Sequence, residues 1–262
     1  MKIPKRFVDR AKGELRRYQK ILTSARTRDV NESDTVVIVA DFLSDVLGYD
    51  KYEEITTEFA IRSTFCDLAV RVKGRIHFLM EVKAIGKDLR DSHLRQAVDY
   101  GANQGVEWVV LTNGVEYQAH RLRFEQPIQH DKIFEIDLLD PDTKTLEIIE
   151  ALYLLSREAG AAGAMEHYRT TREATNRFVI AQLTLSEPSL KLIRRQLRQI
   201  TPGLKITDAD VAAILHSEVL KRDVVDGERA KAAAGMVRRS IKRRERQLHD
   251  SDTSDHKEVT NE

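Results

Sequence analysis

Phe65-Cys66-Asp67-Leu68-Ala69-Val70, the pair Lys73-Gly74, and then Phe78-Leu79-Met80-Glu81-Val82-Lys83 form the stretch that decides the fold. Two apolar runs flank a tight polar break, which reads as a β-hairpin. The polar residues inside those runs are badly placed for a hairpin that only fills a core. Asp67 interrupts the first run, and Glu81 and Lys83 interrupt the second with a period of two. Residues two apart in a strand share a face, so Glu81 and Lys83 project together, and Asp67 on the neighbouring strand can join them. Burying two carboxylates and a lysine is costly unless they pair or hold a metal. The stretch is therefore the candidate site. Leu79, Met80 and Val82 are too apolar for an edge strand with a solvated polar face, which argues against the plainer reading of Glu81 and Lys83.

Working outward, the residues before the hairpin supply two helices. Residues 4–26 place Val8, Ala11, Leu15, Tyr18, Leu22 and Ala25 three and four apart, the pattern of an amphipathic helix with a basic outer face. It could dock on the main domain, pair with another chain or lie along DNA. A second helix is expected from Asn31, an N-cap residue with Glu32 and Asp34 in the first turn, to a stop at Gly48. Its buried stripe is Val36, Val39, Ala40, Leu43, Val46 and Leu47. Tyr49 to Ile61 then reads as an extended lead into the hairpin.

After Lys83 a helix is expected from Asp91 or Ser92 to about Asn103–Gly105, burying Leu94, Ala97 and Val98. Trp108-Val109-Val110-Leu111 is wholly apolar, as in a strand buried on both faces. Asn113-Gly114 is a strong turn signal, Tyr117 to Phe124 a partner strand, and Ile133 to Leu139 a further edge strand. Three strands followed by a helix and more strands give an α/β fold with a mixed sheet and helices packed on it. From Thr145 onward the pattern is helical, with candidates at Leu146–Glu158, Met165–Leu183, Leu190–Ile200 and about Glu228–Leu248. Thr207 with Asp210 resembles a capping box. The expected divisions are a basic helix over 1–30, the sheet domain over 31–143, a helical region over 144–249 and a disordered polar tail over 250–262.

Composition narrows the class. With 262 residues, 41% hydrophobic and 32% charged, the chain can bury a proper core. The net charge is only +1, but both ends are basic. Residues 1–30 hold ten Lys/Arg against three Asp/Glu, and Arg238, Arg239, Lys242, Arg243, Arg244 and Arg246 cluster around Glu245. That asymmetry suits nucleic acid, although solvated helix faces give the same pattern. Cys66 is the only cysteine, so no internal disulfide and no cysteine-rich zinc module can form. No apolar run reaches membrane length and none resembles a signal peptide, so a cytoplasmic protein without membrane attachment is expected.

An Asp in one strand and Glu-x-Lys in the next resembles the PD-(D/E)xK nuclease superfamily. Here the signature reads Cys66-Asp67 and Glu81-Val82-Lys83, with Cys66 where the motif has proline. Gln96 and Tyr100, four apart on the following helix, resemble the Q-x-x-x-Y feature of the RecB-like group. Asn31–Thr35, Asp41–Leu43, Cys66–Val70 and Trp108–Gly114 look most like the N-terminal nuclease domain of type I restriction enzyme R subunits. The resemblance covers roughly Asn31 to Arg123 and does not extend to a helicase motor, since no G-x-x-x-x-G-K-[ST] loop is present.

This resemblance implies a restriction-endonuclease-like αβββαβ core and a Mg²⁺-dependent DNA nuclease of the restriction or defence type, with Mn²⁺ able to substitute. By it, Asp67, Glu81 and the Val82 carbonyl would hold the metal. Lys83 would act on the attacking water, and Gln96 and Tyr100 would position substrate or ligands. Glu32 would be an additional acid from the first helix, a role that competes with its simpler one at the helix N-terminus. Expected partners are DNA, a second copy of the chain in a homodimer or higher oligomer, and a protein that supplies target choice. The alternative is a catalytically inactive module that keeps the fold as a DNA- or protein-binding scaffold. RNA remains open as a substrate, although no paired-aromatic RNA signature is present. His93 reads as a helix-surface residue, Trp108 as core, and Cys66 as a small strand residue rather than a nucleophile.

Overall fold

The computed structural model describes residues 2–61 and 64–258. Two helices come first, α1 (Lys5–Thr27) and α2 (Glu32–Asp45), followed by strands β1 (Ile55–Ile61), β2 (Thr64–Val72) and β3 (Arg75–Val82). The hairpin between β2 and β3 turns on Lys73 and Gly74, both with positive φ (52° and 76°). That is the backbone a two-residue hairpin needs to match strand twist. Helix α3 (Asp91–Gln104) carries the chain across to β4 (Trp108–Thr112), which pairs parallel with β3. Strands β5 (Glu116–Arg123) and β6 (Gln129–Asp137) complete the sheet with antiparallel pairing. The six strands lie in sequence order, β1-β2-β3-β4-β5-β6. This is the mixed α/β sheet expected from the order of apolar runs. The edge strand β1 lies within the extended lead, and β6 starts at Gln129, four residues before the apolar part that announces it.

Each face of the sheet has its own cover. On one, α3 lays Leu94, Ala97 and Tyr100 over Leu79, Val109, Leu111 and Leu122. Gly101 makes that approach possible, since a Cβ there would stand 2.5 Å from Leu122 and 2.9 Å from Val109. The other face buries Leu68, Val70, Phe78, Met80 and Val82 beneath α1, α2, α4 (Thr145–Leu154) and α5 (Arg157–Ala162). Of the three roles open to the first helix, the structure shows docking on this domain. Phe7, Ala11, Leu15, Tyr18, Leu22 and Ala25 are buried, with Phe7 rather than Val8 leading the stripe. The Phe7 ring meets Tyr153 edge-on at 5.3 Å. Tyr18 donates to Asp45 (2.7 Å), and the Arg10 guanidinium forks onto both oxygens of Glu158 (2.8 and 2.9 Å). Asn31 caps α2 by accepting from the Asp34 N–H (2.9 Å).

The chain divides between Arg169 and Thr170 into two compact units, a boundary that falls within α6 (Ala164–Ala174). The second unit holds α7 (Arg177–Thr184), α8 (Glu187–Ile200), α9 (Asp208–Ile214), α10 (Arg222–Val225) and α11 (Glu228–Glu258). Two long helices expected from periodicity are broken by polar caps. Ser156 ends the run expected over Leu146–Glu158 and caps α5, accepting from Ala159 N. Asn176 splits Met165–Leu183 and caps α7, accepting from Phe178 and Val179. Side chains of this type offer the backbone an alternative to continuing the helix. The capping box at Thr207 and Asp210 forms as expected. Helix α11 packs Ala233 and Val237 against Val179 of α7. It continues as helix through residues 250–258 of the tail expected to be disordered, and 259–262 lie outside the described residues. Among the described residues no helix is long and apolar enough to cross a membrane.

His120 on β5 is 3% exposed, and neither ring nitrogen has a partner among the described residues. Burial, helped by His130 and Lys132, lowers its pKa to about 4. Burial alone brings His77 to about 4 as well. Between that value and the ordinary 6.5 the unfolded chain binds more protons than the folded one, so stability falls as pH drops through this window. Thermal melting followed from pH 7 to pH 4 should show the decline, and His120→Leu should make it shallower. An unchanged pH slope in that variant would show that His120 does not contribute.

Candidate active site

The parallel step from β3 to β4 is what builds the site. Helix α3 leaves from the C-terminal end of β3, the edge at which sheets with parallel strands usually take ligands. Along β3, Met80 and Val82 point into the core under α1 and α2, while Leu79 points toward α3. Glu81 shares the face of Leu79 by strand alternation, and Lys83 follows it. The pairing of Leu68 with Met80 brings Asp67 alongside. Asp67 Oδ2 accepts from the Val82 N–H at 2.7 Å. Lys83 Nζ donates to Glu81 Oε1 at 2.6 Å and lies 3.5 Å from Glu32 Oε1.

Asp67, Glu81 and Lys83 are thus joined by hydrogen bonds to one another or to the intervening main chain, and Glu32 reaches the group from the first turn of α2 as well. On α3, Gln96 Nε2 donates to the Tyr100 hydroxyl at 2.8 Å. Burial raises the Tyr100 pKa, the bond from Gln96 lowers it, and the charges of Glu81 and Asp67 raise it further.

The electrostatics are those of acids held too close together. Glu81 is 1% exposed, and burial, then the neighbouring Asp67 charge, push its pKa up to about 7 despite Lys83. Burial also raises Asp67, opposed by the Val82 N–H and Lys83 and reinforced by Glu32 and Glu58. For Lys83, burial disfavours the charge, but the bond to Glu81 and the surrounding acids win and raise its pKa. Glu81 Oε2 is buried without a partner among the described residues. An orphaned carboxylate oxygen of this kind fits a hard cation, which prefers oxygen ligands. Among the described residues no three His, Cys, Asp or Glu are grouped closely enough to form a cation cage by themselves.

Glu58 was not legible as a neighbour of this cluster. It lies on β1 between Thr57 and Phe59, whose partners Leu68 and Cys66 flank Asp67, and its φ is +49°. Only the β1–β2 register places it there, and the sequence does not give that register. Cys66 is a buried thiol with its pKa pushed up to about 12, chiefly by burial, which disfavours the thiolate.

A six-stranded mixed sheet with Asp in β2, Glu-x-Lys closing β3 and Gln-x-x-x-Tyr on α3 defines a nuclease-like domain of the PD-(D/E)xK type. Residues 37–137 match the family model described as type I restriction enzyme R protein N terminus (HSDR_N), and the domain they build belongs to that family. The match runs from within α2 to the end of β6 and includes Asp67, Glu81, Lys83, Gln96 and Tyr100, while Glu32 lies just before it. No curated protein matches the chain, and no solved structure does.

The two jobs of Asp67, charge and hydrogen-bond acceptor, can be separated. Asp67→Asn keeps an acceptor for the Val82 N–H, so folding stability should change little. Asp67→Ala leaves that part-buried N–H unpaired and should cost about 1–3 kcal/mol. Urea unfolding of both variants checks this, and equal stabilities would show that the Asp67–Val82 bond does not hold the two strands in place.

Proposed function

We propose that this protein is a divalent-metal-dependent nuclease that hydrolyses phosphodiester bonds in DNA, acting in restriction or defence. The observation that carries the reading is the pair of carboxylates on adjacent strands, Asp67 on β2 and Glu81 near the end of β3, with Glu81 Oε2 buried and unpartnered among the described residues and Lys83 held 2.6 Å from Glu81 Oε1. In this reading Asp67 and Glu81 would hold Mg²⁺, or Mn²⁺ in its place, with the Val82 carbonyl as a third ligand and Glu32 as an additional acid, a small set of oxygen donors of the kind Mg²⁺ takes from proteins. The ion supplies Lewis acidity toward a phosphate oxygen and makes a water more acidic.

The chain's own groups do the rest. Lys83 orients the attacking water and offsets negative charge as it develops on the phosphate. Tyr100, oriented by Gln96, positions the carboxylates or the substrate. Exposed Arg238, Arg239, Lys242 and Arg243 on α11 offer phosphate contacts that add affinity without reading sequence. Target choice would come from a partner protein, from DNA structure, or from pairing of two copies, which would also supply the second cut in a duplex. The domain divisions of the chain follow the same reading, with the sheet domain cutting and the basic helices binding.

Cleavage of plasmid, linear duplex and single-stranded DNA in Mg²⁺ and Mn²⁺ tests this. Wild-type protein should cleave at least one form, and Asp67→Asn, Glu81→Gln and Lys83→Gln should each lose about 100-fold or more. Calorimetric titration with Mn²⁺ supplies a second readout, with binding expected in wild type and absent in Glu81→Gln. Intact DNA together with no difference in Mn²⁺ binding would leave the non-catalytic scaffold as the correct account.

A further inference from the structure

The segment between β3 and α3, Ala84-Ile85-Gly86-Lys87-Asp88-Leu89-Arg90, is clamped at more points than a surface connection requires. Lys83 N–H bonds Thr112 O (2.8 Å), and Lys87 N–H bonds Ala84 O (2.9 Å) to close a turn. Asn113 spans the gap from the β4–β5 turn: its Nδ2 donates to Lys87 O (2.9 Å), while its Oδ1 accepts from Val115 and Glu116. Ile85 is buried in the core and Leu89 packs beneath α3. Gly86 passes so close to Asp29 that a Cβ would stand 2.2 Å from its carboxylate. What this rigid loop leaves exposed is mainly charge, namely Lys87, Asp88 and Arg90. Among the described residues neither Lys87 nor Arg90 has an ion-pair partner.

His93 completes the group. Its Nδ1 accepts from the Arg90 main-chain N–H (3.3 Å), so the neutral ring carries its proton on Nε2 and presents a donor there. It stands three and seven residues before Gln96 and Tyr100, on the same face of α3. Burial lowers its pKa, and the charges of Lys83, Lys87 and Arg90 lower it further against that of Glu32, so the ring stays a neutral donor.

Resting on the nuclease reading above, we propose that Lys87, Arg90 and the Nε2–H of His93 form an anion subsite for a DNA phosphate next to the one cleaved at Asp67, Glu81 and Lys83. Two cations on one loop with a hydrogen-bonded main chain, and a neutral donor in the first turn of α3, match a diester oxygen pair. The clamped main chain removes the part of the ordering cost that a mobile loop would add. Such an interaction fixes the register of the backbone over the cluster and carries no sequence information.

The test measures binding of the full-length protein to a 30-bp duplex in Ca²⁺ across a salt series, and steady-state cleavage in Mg²⁺. The double variant Lys87→Gln/Arg90→Gln should bind about tenfold more weakly. Its plot of log K against log salt should be shallower by about 0.9 for each phosphate that the variant no longer neutralises. KM should rise by more than kcat falls. His93→Phe should weaken binding severalfold without changing that slope, because the ring is a neutral donor. Lys73→Gln/Arg75→Gln, which removes two exposed cations at the far end of the β2–β3 hairpin, should match wild type. Unchanged affinity and slope in the Lys87/Arg90 variant would overturn the subsite, as would an equal effect of the Lys73/Arg75 variant. If the subsite variants alter DNA binding while wild-type protein cuts nothing, the subsite stands and the nuclease reading falls.

Discussion

A carboxylate cannot be buried beside another carboxylate without positive charge close by, and the end of β3 is arranged around that constraint. Glu81 is 1% exposed, with Asp67 as its neighbour. Lys83 answers part of the problem at 2.6 Å. The part left over shows in the Glu81 pKa, which burial and Asp67 lift from 4.5 to about 7. At 1.36 kcal/mol per unit this is roughly 3 kcal/mol of unfavourable environment for the charged form. A hydrophobic pair at these positions would pack at less cost to stability, since buried ion pairs are often no better than apolar replacements. The arrangement therefore makes little sense as a stabilising device, and the nuclease proposal gives it a use as a ligand set.

Support for that set comes from elements that have little to do with charge. Asp67 is tied to the main chain of Val82, so the two carboxylates are spaced by the β2–β3 ladder rather than by flexible side chains. Lys83 extends the parallel pairing with β4 through Thr112, which keeps its main chain from fraying at the end of the strand. Sites carried on strands and helices hold their geometry better than sites on loops. The one loop that enters here is treated as if it were a strand: Asn113 bridges it to the β4–β5 turn, and Ile85 and Leu89 anchor it on opposite faces of the sheet.

The hairpin, the parallel return through α3 and the helical cover were legible because each leaves a local signature: alternation, a Lys-Gly or Asn-Gly turn, and apolar spacing of three and four. Glu81 and Lys83 were legible as a pair because period two is a local rule. What escaped reading depends on register or on competition between caps. Glu58 comes opposite Asp67 only through the β1–β2 pairing, a proximity between strands that sequence spacing does not encode. The breaks at Ser156 and Asn176 were hidden because the apolar period runs through both, while a side-chain oxygen takes the next helix's first N–H groups.

The departure of this sequence from the family signature has a structural side. Proline lacks an N–H and is poorly placed in a strand paired on both sides. Here the position holds Cys66, on a strand that pairs with β1 and β3 alike, with Phe59 opposite it. Cysteine keeps the main-chain donor and fills a small space under α3 with a weakly polar atom. Its sulfur lies 3.3 Å from Met80 O and 3.5 Å from Leu68 O. A thiolate at this spot would add a third negative charge next to Asp67 and Glu81, and burial together with Glu81 pushes the thiol pKa up to about 12, which prevents it. The residue that replaces the signature proline therefore leaves the charge of the cluster untouched, and that charge is the property on which the proposed cation binding would depend.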